Sequence, residues 1–238
     1  MSALVYIAPR YLLALVFLIM CWPTLVGARE CVVLLHGLGR TEQSMKKIET
    51  TLLDAHYAVW NQSYQSTRSD IQSLAAQAIS PAEEYCRQFD ATHFVTHSLG
   101  GILVRAWLQG KSFNGRIIML SPPNSGSEIP DVLEEYRLFH KLLGPAVAQL
   151  GTKPDSFPNS LNPVPGEIGV ITGDRSADPW FSWLIPGPDD GKVSVESAKL
   201  EEMTDFAVVP YGHTFIMRKQ EVLDQILYFL KNGLFKEK

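Results

Sequence analysis

The stretch Thr96-His97-Ser98-Leu99-Gly100-Gly101 follows the apolar pair Phe94-Val95 and leads into an apolar helical pattern that runs to Leu108. A strand stops and a helix starts within two residues, so the chain must turn sharply at Ser98. The pattern is Thr-x-Ser-x-Gly, a relaxed form of the Gly-x-Ser-x-Gly elbow that exposes a serine on a tight strand-to-helix turn. The residue types have physical reasons. Such a turn brings the backbone too close for a Cβ at position 100, and the helix N-terminus adds positive potential beside the serine. Thr96 replaces the usual first glycine, and these residues alone do not separate a nucleophile from a polar turn.

Short apolar runs and helical patterns alternate on both sides of this elbow. Glu30–Leu35 is a continuous β-branched run, suited to a strand buried on both faces. Met45, Ile48 and Leu52 have helical spacing, and Tyr57–Trp60 is a weaker strand. Ser69 or Asp70 can cap the next helix, whose apolar face is Ile71, Leu74, Ala75, Ala78 and Ile79. Pro81 is expected to kink or restart that helix after Ser80. Strands Thr92–Thr96 and Arg116–Leu120 flank the helix Leu99–Leu108. Val132, Leu133, Tyr136, Phe139 and Leu143 read as a further helix, and 151–166, rich in Pro, Asn and Ser, as surface loop. Strands Glu167–Thr172 and Phe206–Val209 and a closing amphipathic helix on Val222, Leu223, Ile226, Leu227 and Leu230 complete the order.

This alternation predicts an α/β fold: βαβ units, a mainly parallel central sheet and helices on both faces. The span between Leu120 and Glu167 carries one convincing helix, too little for a large cap domain. Ligands in such folds sit at the carboxyl ends of strands. His36, Ser98, Ser121, Asp174 and the loop after Val209 all fall there. With 238 residues, 46% hydrophobic and 19% charged, the chain can build one full-sized core. A net charge of -4 with no basic block argues against a nucleic-acid partner.

Arg10 precedes the apolar run Tyr11–Trp22, Pro23 breaks it, and Val26-Gly27-Ala28 places small residues before Arg29. That order reads as a signal peptide over residues 1–28, leaving a mature domain over 29–238 that is exported to the periplasm or beyond the cell. A membrane anchor is disfavoured because the run is shorter than the roughly 20 residues that span a bilayer. Bulky Met20 argues against lipid attachment at Cys21. Cleavage leaves Cys31 and Cys86, an even pair that suggests a disulfide in an oxidising compartment; two buried thiols are the alternative.

A serine hydroxyl needs a base, and the base needs an orienting carboxylate. The one histidine after residue 140 is His213, in Pro210-Tyr211-Gly212-His213, just past the last strand. Asp174, Asp178, Asp189 and Asp190 all follow the fifth strand and precede His213. Asp190 is preferred because Asp190-Gly191 makes a tight turn that can present its carboxylate inward. Asp189 is then expected to be solvated, and Asp174 and Asp178 to be capping or turn residues. An oxyanion hole needs two backbone N–H donors. Leu99 follows the serine and Leu38 lies in the strand-end loop His36-Gly37-Leu38-Gly39. His36 itself reads as a structural hydrogen-bonding residue.

Taken together, VVLLHGLGR (32–40), THSLGG (96–101), LSPPNSGS (120–127), DDGKVSVESAKL (189–200) and GHTFIM (212–217) occur in order. The chain thereby resembles bacterial lipases and esterases of the α/β-hydrolase superfamily over nearly all of Cys31–Gly233. The resemblance implies Ser98 as nucleophile, His213 as base, Asp190 as acid, Leu38 and Leu99 as oxyanion donors, and a secreted carboxylic-ester hydrolase acting on an ester or lipid without a cofactor. Acyl transfer, thioester or amide cleavage, and a catalytically silent binding protein share the same residues.

The other histidines read blandly. His93 and His97 precede the elbow on one strand, where four residues span roughly 13 Å, too far to share a zinc. His56 and His140 are isolated and read as surface residues. The aromatic segment Trp180–Ile185 either lines an acyl pocket or a rim that makes transient contact with a membrane surface, or packs against the core.

Overall fold

The computed structural model describes residues 29–133, 143–176 and 178–237. The export signal over 1–28, and Tyr136, Phe139 and His140, lie outside them. Six strands form one sheet: β1 (Glu30–Leu35), β2 (Ala58–Asn61), β3 (Ala91–His97), β4 (Arg116–Leu120), β5 (Glu167–Gly173) and β6 (Asp205–Val209). Their order is β2-β1-β3-β4-β5-β6, and every neighbouring pair is parallel. Parallel neighbours need crossovers, and four longer helices lie on these connections or close the chain: α1 (Lys46–Asp54), α2 (Ile71–Cys86), α3 (Leu99–Trp107) and α4 (Gln220–Asn232).

Side-chain alternation in β1 decides which helices go where. Cys31, Val33 and Leu35 point to the face covered by α2 and α3, where they meet Ile71, Leu74, Ile79, Leu99 and Ile102. Val32 and Leu34 point to the opposite face, against Ile48 and Leu52 of α1 and Val222, Ile226 and Phe229 of α4. All five are 0–1% exposed. Each such aliphatic side chain contributes about 1.5–3 kcal/mol on burial, which is why a strand buried on both faces has no polar alternation.

Helix α2 starts where Asp70, rather than Ser69, caps it: the Asp70 carboxylate accepts from the Ser73 amide at 2.8 Å. Its passage through Pro81 corrects the expectation of a restart after Ser80. Pro81 is exposed while Ala78, Ile79, Ala82 and Cys86 are buried. The carbonyl that loses its partner therefore faces water, and the buried face holds the helix together.

The Pro-rich span 151–166 also departs from a plain surface loop. It contains a short helix, Phe157–Ser160, and buries Pro158 and Val164. The reason is Arg105 on α3, 4% exposed, whose guanidinium donates to the carbonyls of Asn124 (2.8 Å) and Pro158 (3.1 Å). A buried cation whose two terminal nitrogens donate to backbone oxygens ties both segments after β4 to α3.

A disulfide joins Cys31 on β1 to Cys86 at the end of α2, with Cα atoms 5.6 Å apart and a sequence separation of 55. Closing a loop of that length removes about 4 kcal/mol of chain entropy from the unfolded state. Cys86→Ser is expected to lower unfolding stability by about 2–4 kcal/mol in denaturant titrations, and reductant is expected to destabilise the wild type but not the variant.

Candidate active site

Strand order reverses between β1 and β3, so the loops after these two strands open a crevice at the carboxyl edge of the sheet. The register pairs Leu35 with Thr96, which sets His36-Gly37 beside His97-Ser98. Gly37 is required by that proximity: a Cβ on it would lie 2.9 Å from His97 Nδ1 and 3.2 Å from Ser98 Cβ.

Ser98 has φ 53° and ψ −120°, a left-handed φ that a non-glycine residue adopts only when its surroundings impose it. Its amide donates to the Leu120 carbonyl (2.9 Å), and its carbonyl accepts from the Gly101 amide (3.0 Å). Helix α3 begins at Leu99, so the first-turn amides lack partners within the helix. Gly100 permits the approach, since a Cβ there would sit 2.6 Å from the Leu35 carbonyl oxygen. The contact that forbids a side chain thus comes from the neighbouring strand β1.

His213 opens a short 3-10 helix, His213–Arg218, four residues past the end of β6. Two hydrogen bonds hold it to the turn that carries Asp190. The His213 amide donates to the Asp190 carbonyl (2.9 Å), and His213 Nδ1 meets Asp190 Oδ2 at 2.8 Å. A carboxylate can only accept, so Nδ1 carries the proton and Nε2 keeps its lone pair. The Asp190 side chain is fully buried and that of His213 is 11% exposed. Asp190 Oδ1 accepts from the amides of Lys192 (3.0 Å) and Val193 (2.9 Å).

Burial pushes the Asp190 carboxyl up, but facing His213 and hydrogen bonds from its ring and the Val193 amide outweigh this and hold it below the ordinary carboxylate range. The pair's contribution to stability is therefore complete above the ordinary carboxylate pKa. It is lost only as pH falls through the lowered one.

The other aspartates are placed differently. Asp189 is 8% exposed, which corrects the expectation that it is solvated. Its Oδ1 accepts from Ser182 Oγ and the Gly191 amide, both at 2.7 Å, so it ties the Asp190 turn to the aromatic segment. Asp178 pairs with Lys192 at 3.2 Å and directly precedes the short helix Pro179–Ser182. Asp174 follows β5, where its amide donates to the Val209 carbonyl at 3.1 Å.

A cavity of about 280 Å³ gathers Gly37, Leu38, His97, Ser98, His213 and Thr214. Its apolar wall comes from Ile129, Pro130, Leu143, Val147 and Leu150. Asp190 stands behind His213, and the Leu99 side chain is fully buried, leaving only its backbone to act at the elbow. In the aromatic segment, Phe181 lines the cavity beside Lys192, Ile185 is buried, and Trp180 and Trp183 are 82% and 91% exposed.

His36 is buried, stacked on Tyr64 at 4.0 Å, and accepts from the Tyr64 amide through Nε2. His93 Nδ1 accepts from the Arg116 amide, and His56 is exposed. His97 has a role not foreseen in the sequence. Its ring lies 4.8 Å from that of His213, and its Nε2 donates to the His213 carbonyl at 3.0 Å. Burial, with facing His213, pushes His97 well below the usual histidine range, so it buttresses His213 as a neutral ring.

No family model matches the chain, and no curated protein does. Solved structures do. The mature lipase BlEst2 of Bacillus licheniformis superposes with a TM-score of 0.68 at 19% identity, covering 85% of this chain and 92% of its own. A structure of the metagenome-derived lipolytic enzymes LipS and LipT gives 0.62 at 17% identity, covering 87% and 95%. The metagenomic carboxyl esterase MGS0156 gives 0.62 at 15% identity, covering 82% and 68%. The chain has the α/β-hydrolase fold. Within that fold Ser98 stands at the strand-to-helix elbow, His213 follows the last strand, and Asp190 comes between them in sequence.

The elbow's tolerance is testable. Gly100→Ala is expected to cost about 1–3 kcal/mol of stability by chemical denaturation, because the new methyl meets a backbone oxygen that cannot turn aside.

Proposed function

We propose that the protein is an exported carboxylic-ester hydrolase that works through an acyl-enzyme on Ser98. The observation that carries this reading is the Asp190–His213 hydrogen bond, set in the cavity wall that also holds Ser98. That bond fixes the proton on Nδ1 and leaves Nε2 as the acceptor a serine hydroxyl requires. The lipolytic neighbours sharing the fold agree with it in class.

In the proposed reaction Ser98 Oγ attacks the ester carbonyl as His213 Nε2 takes its proton. The tetrahedral oxyanion is held by the backbone N–H groups of Leu38 and Leu99, the second at the positive end of α3. His213 then protonates the departing alcohol. Water, activated by the same nitrogen, releases the acid from Ser98. Asp190 stabilises the imidazolium in both halves and stays ionised throughout. The apolar wall of Ile129, Val147 and Leu150 offers the acyl chain its place. Residues 1–28 are proposed to be removed on export, so that the mature chain begins at Arg29, in a compartment where the Cys31–Cys86 disulfide persists.

Ser98→Ala is expected to abolish both ester hydrolysis and labelling by a fluorophosphonate. Asp190→Asn is expected to lower kcat by about four orders of magnitude while the fold is retained, as judged by circular dichroism. Asp174→Asn should leave turnover near wild type; the opposite result would make Asp174 the acid.

Trp180 and Trp183 support contact with a lipid–water interface, because large exposed rings with a polar N–H favour that boundary. The double change Trp180→Ser, Trp183→Ser is expected to weaken sedimentation with lipid vesicles several-fold. Hydrolysis of a short soluble ester should remain within about twofold of wild type, since surface substitutions cost little in the fold.

A further inference from the structure

The cavity carries two cations, Arg40 and Lys192, and among its described lining residues no carboxylate. Lys192 is already engaged: its ammonium lies 3.2 Å from Asp178 Oδ2 and 3.5 Å from the centre of the Phe181 ring. Arg40 is not. Among the described residues it forms no ion pair, and its side chain is exposed at the mouth.

Its backbone, by contrast, is fixed. The Gly39 amide donates to Ser66 Oγ at 2.9 Å, with Ser66 3% exposed, and the Arg40 amide donates to the Gly37 carbonyl at 3.2 Å. The turn that carries Leu38 therefore also roots the Arg40 side chain at the edge of the same cavity. Its charge reaches inward, contributing after burial and His213 to keeping His97 neutral.

We propose that Arg40 recognises an anion on the substrate, and that the natural ester carries a carboxylate or phosphate on its alcohol portion. This rests on the ester-hydrolase reading and adds a substrate class to it. The two sides of the cavity differ in chemistry. The wall of Ile129, Pro130, Val147 and Leu150 suits hydrocarbon, whereas the loop after β1 ends in a guanidinium that forms no ion pair among the described residues. An amphiphilic ester with its acyl chain on the first and its anionic alcohol on the second satisfies both. A planar guanidinium binds carboxylate and phosphate oxygens through two N–H groups, which a lysine cannot reproduce.

The test compares three soluble butanoyl esters by pH-stat: monobutanoylglycerol, its 3-phosphate, and 3-butanoyloxypropanoate. The wild type is expected to prefer at least one anionic ester over the neutral one in kcat/KM, and which one it prefers identifies phosphate or carboxylate. Arg40→Gln should reduce that preference about tenfold, with Arg40→Lys intermediate. Salt at about 0.5 M should erode the wild-type preference and leave that of Arg40→Gln unchanged. A preference for the neutral ester, or an equal preference in wild type and Arg40→Gln, overturns the assignment to Arg40 while the hydrolase reading stands. Hydrolysis of none of the three, with no fluorophosphonate label on Ser98, overturns the hydrolase reading itself.

Discussion

The rest of the site depends on one close approach, between Gly100 at the start of α3 and the Leu35 carbonyl at the end of β1. It brings the first turn of a helix directly against the neighbouring strand. Ser98 then has no room for an ordinary backbone conformation and takes a positive φ. That strain is held by hydrogen bonds to Leu120 and Gly101, and by the packing of α3, whose Leu99, Ile102 and Leu103 are fully buried. Local strain at a functional residue persists when a well-packed frame imposes it. Gly37 repeats the constraint from the other side, so two glycines on two strand ends bring the serine and the Leu38 loop together.

A second group of contacts makes the histidine precise. His213 is held at three atoms: its amide by the Asp190 carbonyl, its Nδ1 by the Asp190 carboxylate, and its carbonyl by His97. The third of these ties His213 to the residue directly before Ser98. His97 does this as a neutral ring, held so by its burial and by facing His213. The turn that carries Asp190 is similarly braced by Asp189, which bonds Ser182 on one side and Gly191 on the other.

Much of this was legible in the residues. A parallel sheet leaves continuous apolar strands such as Cys31–Leu35, and helix faces such as Ile71, Leu74, Ala78 and Ile79 declare themselves by spacing. The elbow was legible because its glycines and serine are neighbours in the chain. What was not legible depends on contacts distant in sequence. Pro81 sits inside a helix because its side faces water, which spacing around it does not show. The span 151–166 is pulled inward by Arg105, whose partners are backbone carbonyls 19 and 53 residues away. His97 acts through a residue 116 positions later. Asp189 and Asp190 are both buried, and it is the approach of His213 to Asp190 that distinguishes them.

The bond between Cys31 and Cys86 converts the first part of the molecule into a covalent ring. That ring contains the end of β1, the edge strand β2, helices α1 and α2, and the Gly37–Arg40 turn. A protease that cuts one peptide bond anywhere inside it leaves two pieces that are still joined, with the cut ends tethered through the sheet. Wherever such cuts accumulate, the half of the site built on β1 can be nicked without being shed.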